Sequence, residues 1–520
     1  MHWADVVAER LKESGREQVI ATGITPSGHI HVGNMREILT GDLVYRAALD
    51  HGVAAKLVYI ADDFDPLRRV YPFLPDSYSE HVGKPLSEIP SPDGEGTYAE
   101  HFLKPFLEAL TRLGINPEVV RGSESYRSGR YAEAVRTVMD NRGEIRSILE
   151  RISGRKLPLD WVPYNAKCGQ CSRIDSTKVI GWDPPHVHYR CDCGHEGKAD
   201  TRTDDGKLPW RLDWPARWYW LGVTCEPFGK DHAAAGGSYD TSSAIVRSLF
   251  NREPPLPVVY EWIQLKGKGA MSSSTGVVIT AVDMLRMTPP EVLRFLVARN
   301  QPARHIDMDP GLGILNLVDD FDRYEEDFHS EGEAKEKDRS RTYQLSLVDP
   351  KEERKKQARV PYRHLVTLVQ LTDDLDSLME KVRRTEGYEH LDEGSRTHIE
   401  ERAECVRYWL SSFAPDMVKF ELNEETPPEA LADFDEGMIS ALTAMGEVFR
   451  RTEWTPEAIH NGIYEGSRDK DIKPKTTFKA LYKLLLNKER GPRLGYFLSN
   501  LEKEDVIRRI DMALSRLGRD

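Results

Sequence analysis

The sequence predicts an α/β fold: a parallel sheet with helices on its faces, interrupted by a cysteine-bearing insertion and followed by an all-helical C-terminal part. Three observations predict it. Val19–Ile24 is apolar and β-prone, breaks at Pro26-Ser27-Gly28, continues as a helical pattern to about Ala48, and is followed by a second strand, Ala55–Ile60. Strand, helix, strand in this order is a βαβ unit, and its strands are parallel. Four of the six cysteines lie between Cys168 and Cys193. Beyond residue 346 the apolar residues recur at helical spacing, as in Leu368, Leu371, Leu375 and Leu378.

With 520 residues the chain exceeds what one hydrophobic core supports, so several domains are expected. No apolar run approaches ~20 residues, so no membrane span is expected. The opening Met-His-Trp-Ala-Asp-Val-Val-Ala-Glu-Arg lacks the basic-then-apolar pattern of a secretory leader, and the expected location is the cytoplasm. Six cysteines in so long a chain do not make a disulfide scaffold, and a cluster of four in a reducing compartment points to metal. A net charge of −13 argues against a general nucleic-acid binder, though not against one whose basic groups form a single patch.

Residues 1 to 17 read as an amphipathic helix carrying Trp3, Val6, Val7 and Leu11. The strand, loop and helix start that follow have the geometry in which backbone N–H groups and a helix dipole receive phosphate. Neither G-x-G-x-x-G nor G-x-x-x-x-G-K-[ST] is present. Instead His29 and His31 stand beside the helix start, where imidazoles can donate to phosphate oxygens as charge develops, and Gly33 leaves room for a flat ring against the backbone. The second strand ends on Ala61-Asp62-Asp63-Phe64-Asp65. Those carboxylates could hold a cationic substrate or the metal of a nucleotide, or pair with Arg68 and Arg69.

Residues 72 to 165 are first rich in Pro, Gly and Ser, then helical over Ala99–Leu113 and Arg130–Ile152, and read as an insertion rather than a continuation of the sheet. Tyr98-Ala99-Glu100-His101 with Asp93 offers possible ligands but no thiol, and no metal is expected there. The thiols come next: Cys168-Gly-Gln-Cys171, then Cys191-Asp-Cys193-Gly-His195. Two short thiol-bearing turns build a structural zinc site. The expected ligands are Cys168, Cys171, Cys191 and His195, with Cys193 as the alternative to His195.

The α/β pattern resumes at Trp210, where four tryptophans in eleven residues wall a substrate pocket or fill a core. In Glu226-Pro-Phe-Gly229-Lys-Asp231-His232, Asp231 can accept from ribose hydroxyls and Gly229 permits close backbone approach. Pro257–Leu265 reads as an alternating strand running into Lys266-Gly-Lys268-Gly-Ala270-Met271-Ser272-Ser273-Ser274-Thr275-Gly276. A glycine- and serine-rich loop bearing lysines suits a flap that closes over a triphosphate. Leu285 to Leu317 reads as helix, turn, helix, with Pro290 at a helix start, and the polar stretch 325 to 358 reads as a domain junction. Thr455-Pro456-Glu457 opens another helix. Arg468 to Arg493 holds nine basic against three acidic residues, with Phe478, Tyr482, Tyr496 and Phe497 in or beside it. Basic groups track phosphate and aromatics stack on unpaired bases, so RNA is the expected partner, a solvated helix face being the alternative.

Pro26-Ser27-Gly28-x-x-His31-x-Gly33-Asn34 resembles the first signature of class I aminoacyl-tRNA synthetases, and Ala270-Met271-Ser272-Ser273-Ser274 resembles the second, Lys-Met-Ser-Lys-Ser, about 240 residues later. Thr22-Gly23-x-x-Pro26, Glu226–His232 and Met271-Ser272-Ser273-Ser274 are similar to the lysine-specific class I enzymes, and the resemblance extends over most of the chain. It implies a class I synthetase Rossmann-type parallel sheet with a zinc-bearing insertion and an all-α C-terminal bundle. It implies activation of L-lysine by ATP with Mg2+, transfer to the terminal ribose of tRNA(Lys), a structural Zn2+, and a monomer or small assembly. The implied catalytic residues are His29, His31, Lys266, Lys268, Met271, Ser272 and Ser273. ATP would meet Pro26, Ser27, Gly28, Gly33, Asn34, Gly229, Asp231 and Ser274. Lysine would meet Gly23, Thr25, Trp218, His232 and Tyr260. The catalytic domain would comprise residues 1–90 and 206–284 around the zinc-bearing insertion 91–205. A stem-contact segment at 285–345 and a helical anticodon-binding domain at 346–520 would follow. Two departures stand out: Ala270 and Thr275 replace lysines of the family, whereas Ser273 in place of the class-wide second lysine is common in the lysine-specific group. Glutamyl or arginyl specificity is the near rival. A paralogue that binds tRNA or an amino acid without charging it is the distant one.

Overall fold

The opening strand Gln18–Ile24 carries Ile20 and Ala21 fully buried, as a strand covered on both faces requires. It pairs in parallel with Ala55–Ala61 along its whole length, from Gln18 opposite Ala55 to Ile24 opposite Ala61. On its other side Ile20 stands opposite Cys225 of the strand Cys225–Gly229. Glu118–Arg121 extends the sheet beyond Ala55–Ala61, and Leu256–Tyr260 extends it beyond Cys225–Gly229, both in parallel. By order of appearance the five strands stand 3-2-1-4-5. This is the doubly wound Rossmann arrangement, whose ligand crevice opens at the carboxyl ends of strands 1 and 4, where the order reverses.

The structure is a computed structural model and describes residues 1–267, 269–271, 278–330, 337–349, 359–385, 388–423 and 425–518. It divides into two units, one built from Met1–Leu285, Pro290–Asp309 and Asp320–Glu352, the other from Arg286–Pro289, Pro310–Asp319 and Glu353–Asp520. None of the described helices is long and apolar enough to cross a membrane.

In the first unit the helix Val32–Asp50 lies against the sheet so closely that a β-carbon at Gly41 would fall 2.7 Å from Thr22 Cγ2. The helix Tyr98–Arg112 starts on a capping box, Thr97 with Glu100. Contrary to the expectation of an insertion that leaves the sheet, part of residues 72 to 165 continues it: Glu118–Arg121 returns as its third strand. Four residues beginning and ending on charged side chains are too short a signal for the apolar pattern to show. The helix expected over Arg130–Ile152 is two, Ala132–Asp140 and Arg142–Ser153, broken at Asn141. The expected strand Pro257–Leu265 also divides, because Ile263–Leu265 leaves the main sheet to pair with Ile306–Met308.

The second unit is helical among its described residues. Its core gathers Met445 and Phe449 from Glu436–Arg451, Ile459 and Ile463 from Pro456–Asp469, Leu481 and Leu485 from Pro474–Leu486, and Ile510 from Lys503–Arg516. Thr455 caps its helix as expected, accepting the Ala458 N–H at 3.3 Å with Pro456 in the first turn. The leucine run 368 to 378 is not one helix, since the chain breaks after Val369 and restarts at Leu375 with Asp374 as cap.

Candidate active site

The chain leaves the opening strand at Ile24, crosses residues 25–30 and enters the helix with His31 as its N-cap. His31 Nδ1 accepts the Asn34 N–H at 3.3 Å, and the Asn34 side-chain oxygen accepts the His31 N–H at 3.3 Å. This is a capping box made from His and Asn. With Nδ1 used as an acceptor, the neutral ring carries its proton on Nε2. Burial pushes the pKa of His31 down to about 4, so the ring offers one N–H donor without net charge. A flat ring does lie against Gly33, and it is this imidazole: a β-carbon at Gly33 would fall 2.8 Å from its Cε1 and Nδ1. His29 differs. It is exposed, edge-on to Phe102 at 5.1 Å, and desolvation holds its pKa below the ordinary histidine value. Tyr98, from the insertion helix, donates its hydroxyl to Ser27 O at 2.8 Å and fastens the Pro26-Ser27-Gly28 turn.

The second motif is tied to the first through backbone. Val32 N donates to Ile279 O at 2.9 Å, Ala281 N donates to Ile30 O at 3.3 Å, and His31 bridges Thr280. Met271 is buried with its Cε 3.6 Å from the β-carbon position of Gly33. Lys266 is exposed and its N–H donates to Met308 O at 2.9 Å. Lys268, Ser272, Ser273, Ser274 and Thr275 lie outside the described residues.

Across the crevice, a β-carbon at Gly229 would fall 2.5 Å from Asp231 Oδ1, so glycine there lets the exposed Asp231 carboxylate fold back over the strand end. His232 Nε2 stands 3.6 Å from Asp231 Oδ2, and its ring lies 5.5 Å from that of Trp214. The four tryptophans fall on or at the end of one helix, Trp210–Leu221. Glu226 accepts the indole N–H of Trp214 at 3.0 Å and of Trp218 at 2.5 Å, which holds both buried, while Trp210 stacks on Trp214 at 5.2 Å and faces out. Desolvation pushes the pKa of Glu226 up to about 7.

At the floor of the crevice, Glu37 accepts the Gly23 N–H at 2.6 Å and meets the Tyr260 hydroxyl at 2.8 Å. Desolvation pushes its pKa up to about 8, and among the described residues it has no ion-pair partner. A carboxyl held neutral by its surroundings becomes a strong site for a cation that enters with its own charge.

A family model described as "tRNA synthetases class I (K)" matches residues 1–349. The chain belongs to this family of class I tRNA synthetases. It is 48% identical to a lysine–tRNA ligase of Archaeoglobus fulgidus over 516 residues, covering 99% of this chain and 100% of that one. It is 46% identical to a lysine–tRNA ligase of Picrophilus torridus over 517 residues, covering 99% of each. A solved glutamate tRNA ligase of Elizabethkingia meningosepticum is 16% identical, with TM-score 0.45, over 96% of this chain and 100% of that one.

In this class I synthetase the four thiols of Cys168, Cys171, Cys191 and Cys193 gather with all Sγ atoms within 4.8 Å of one another. Cys168 and Cys193 are 3.7 Å apart, Cys171 and Cys191 3.6 Å. Sulfurs on a tetrahedral zinc at ~2.3 Å stand about 3.8 Å apart, so the thiols already hold the spacing of a closed Zn2+ site. His195 is not in the cluster. Cys193, the alternative, supplies the fourth thiol, because the turn sends Cys193 to Cys168, while the His195 ring lies toward Tyr189 at 6.1 Å.

The carboxylates after the second strand pair with neither Arg68 nor Arg69. Asp62 is ion-paired with Arg217, Asp65 with Lys207 at 2.6 Å, and Asp63 accepts the Ser123 N–H and hydroxyl at 2.7 Å each. Arg217 also donates to Asp213 at 2.5 Å and to the Tyr131 hydroxyl at 3.1 Å. In the C-terminal unit, Tyr482 and Phe497 are core rather than base-stacking groups, and Tyr496 is the exposed ring of the four expected. A cavity of about 1430 Å³ there is lined in part by Arg490, Arg493, Lys488, Trp454 and Tyr496.

Sequence reasoning missed Glu37, Lys207 and Arg36. Arg36 is buried and donates to the carbonyls of Trp262, Gln301, Pro302 and Arg304, at 2.7 Å for the last, which ties the motif helix to the second motif's strand region. A lone Glu, Lys or Arg in a helix or a turn reads as surface, and no spacing marked these three.

Proposed function

We propose that this protein is a lysine–tRNA ligase that activates L-lysine with ATP and transfers it to the terminal ribose of tRNA(Lys). The observation that carries the reading is Glu37. It is a carboxyl beside Gly23 and Tyr260 on the crevice floor, without a cationic partner among the described residues, and it suits the ε-ammonium of lysine rather than a glutamate side chain. Thr25, His232, Trp218 and Tyr260 complete that pocket.

The lysine carboxylate attacks the α-phosphorus, pyrophosphate leaves, and a ribose hydroxyl of the tRNA then attacks the acyl carbon of the adenylate and releases AMP. Such chemistry needs positioning and charge stabilisation rather than a covalent nucleophile. His31 Nε2–H, fixed by the capping box, donates to a phosphate oxygen as negative charge grows, and His29 assists from the open side. Asp231 accepts from ribose hydroxyls, while Pro26, Ser27, Gly28, Gly33 and Asn34 carry the nucleotide on the first motif. Lys266 and Lys268 supply positive charge in the loop, and Met271, Ser272, Ser273 and Ser274 close it over the triphosphate. Mg2+ enters with ATP as part of that substrate, since Asp62 and Asp65 are committed to Arg217 and Lys207.

Cys168, Cys171, Cys191 and Cys193 would hold a structural Zn2+ that braces the insertion. The stem-contact and helical C-terminal segments receive tRNA, for which the basic, aromatic-lined cavity of the C-terminal unit suits an unpaired base. A monomer or small assembly is the proposed state, and tRNA charging for translation assigns it to the cytoplasm. ATP–pyrophosphate exchange with each amino acid, with tRNA present, tests the reading. Exchange with lysine alone is expected. Exchange with glutamate or arginine instead, or with no amino acid, would overturn it.

A further inference from the structure

Lys207 closes the cysteine-bearing insertion, where Gly206–Lys207 pairs antiparallel with Asn165–Ala166, just before Cys168. Its side chain leaves the insertion and enters the sheet edge, 7% exposed, with Nζ 2.6 Å from Asp65 Oδ1 and 3.7 Å from Asp213 Oδ2. The other oxygen of Asp65, Oδ2, accepts the Thr25 hydroxyl at 3.0 Å. Burial alone would raise the pKa of Asp65, and Lys207 is the strongest of the groups that more than offset it, so the carboxyl is ionised. Arg217 helps from a distance, but its hydrogen bonds go to Asp62 and Asp213, so Lys207 is the cation in contact with Asp65.

The chemistry of Thr25 follows. A carboxylate can only accept, so the Thr25 proton is committed to Asp65 and Oγ1 keeps only lone pairs for a substrate group. A hydroxyl in that state accepts from an ammonium and cannot donate to a carboxylate. If Asp65 were protonated, it could donate instead, and Thr25 would be released to present its proton.

We propose that Lys207 is a positioning residue for substrate lysine: by pairing with Asp65 it fixes the Thr25 hydroxyl as an acceptor for the substrate's amino group. The zinc-bearing insertion thus reaches the amino-acid site through one ammonium. This rests on the reading that Thr25 lines the lysine pocket.

Steady-state aminoacylation with tRNA tests it. Lys207→Met leaves Asp65 without its cation, so the carboxyl protonates more readily. The KM for lysine is expected to rise about ten- to hundredfold while the KM for ATP holds, the scale of one charge-assisted hydrogen bond. That rise should shrink as pH increases and Asp65 ionises again, a dependence that a merely structural lysine would not produce. Lys207→Arg should behave as the parent. The double variant Lys207→Met/Asp65→Asn removes both buried charges together and guards against simple misfolding; it should show a raised, pH-independent KM for lysine. Lys207→Met should add nothing to the effect of Thr25→Val. A raised KM in Thr25→Val with an unchanged KM in Lys207→Met and in the double variant overturns this inference alone. An unchanged KM in Thr25→Val overturns the pocket reading and this inference with it.

Discussion

The imidazole of His31 occupies the space that a β-carbon at Gly33 would need, 2.8 Å from that position, so the two residues are fixed as a pair. Gly33→Ala should therefore act like a mutation of His31 itself. The ring is displaced, the cap on Asn34 is lost at a cost of about 1 kcal/mol in stability, and adenylate formation slows by ~10²–10³. His31→Ala should slow it similarly with little loss of lysine affinity. Single-turnover adenylate formation in the presence of tRNA measures both, and an unchanged rate in either variant removes His31 from the chemistry.

Glu37 predicts a pH dependence. Its pKa is raised from 4.5 to about 8 in the folded protein, so the folded state holds a proton that the unfolded chain has released. Stability of the lysine-free protein should then fall as pH rises from about 4.5 to about 8. Lysine keeps its ε-ammonium through that window and prefers the carboxylate form. Its affinity should climb with pH up to about 8, and binding near neutrality should release a proton. Titration calorimetry in two buffers of different ionisation enthalpy reads this directly. Glu37→Gln should abolish the proton release and weaken lysine binding about ten- to hundredfold. Lysine affinity that is flat across the window in the parent protein contradicts the assignment.

The thiol cluster makes a sharp distinction between two neighbours. Metal analysis should find about one zinc per chain. Cys193→Ser should lose the metal and lower the melting temperature, whereas His195→Ala should retain it. The reverse result would restore His195 as the fourth ligand.

The loop lacks lysine at residues 270 and 275, so Lys266 or Lys268 must supply the charge toward the β- and γ-phosphates. Replacing Lys268 by Ala should cost ten- to hundredfold in rate, about 1.5–3 kcal/mol, with Lys266→Ala as the companion measurement. Adding Ala270→Lys to the Lys268 variant should recover much of the loss. Robust exchange indifferent to both lysines would place the charge elsewhere.

The sheet was legible in the sequence where strands were long and apolar, as at Gln18–Ile24 and Ala55–Ala61, because both faces are covered and the pattern is continuous. It was not legible at Glu118–Arg121, a four-residue edge strand with its first two residues exposed. The phosphate-handling side of the crevice could be read from motifs because glycine, histidine and loop spacing leave marks along the chain. On the amino-acid side, the family resemblance supplied Gly23, Thr25, Trp218, His232 and Tyr260, but neither Glu37 nor Lys207. Lys207 and Asp65 meet only through the fold, and the significance of Glu37 lies in having no ion-pair partner among the described residues, which no linear spacing encodes. The tryptophans show a middle case: their clustering was visible, but Glu226 decides which of them are buried.

The 3-2-1-4-5 order also sets a timetable. The opening strand receives its second neighbour only when Cys225 is available, about 205 residues later, as the Val19–Thr224 hydrogen bond shows. At ~5–20 residues per second of synthesis, the central strand waits roughly 10–40 s with one edge bare. During that interval the whole insertion is made. Nascent chains arrested near residue 210 should be far more sensitive to protease and more chaperone-bound than chains arrested past residue 300. The crevice is then among the last parts of the first unit to close, after the thiol cluster has already left the ribosome.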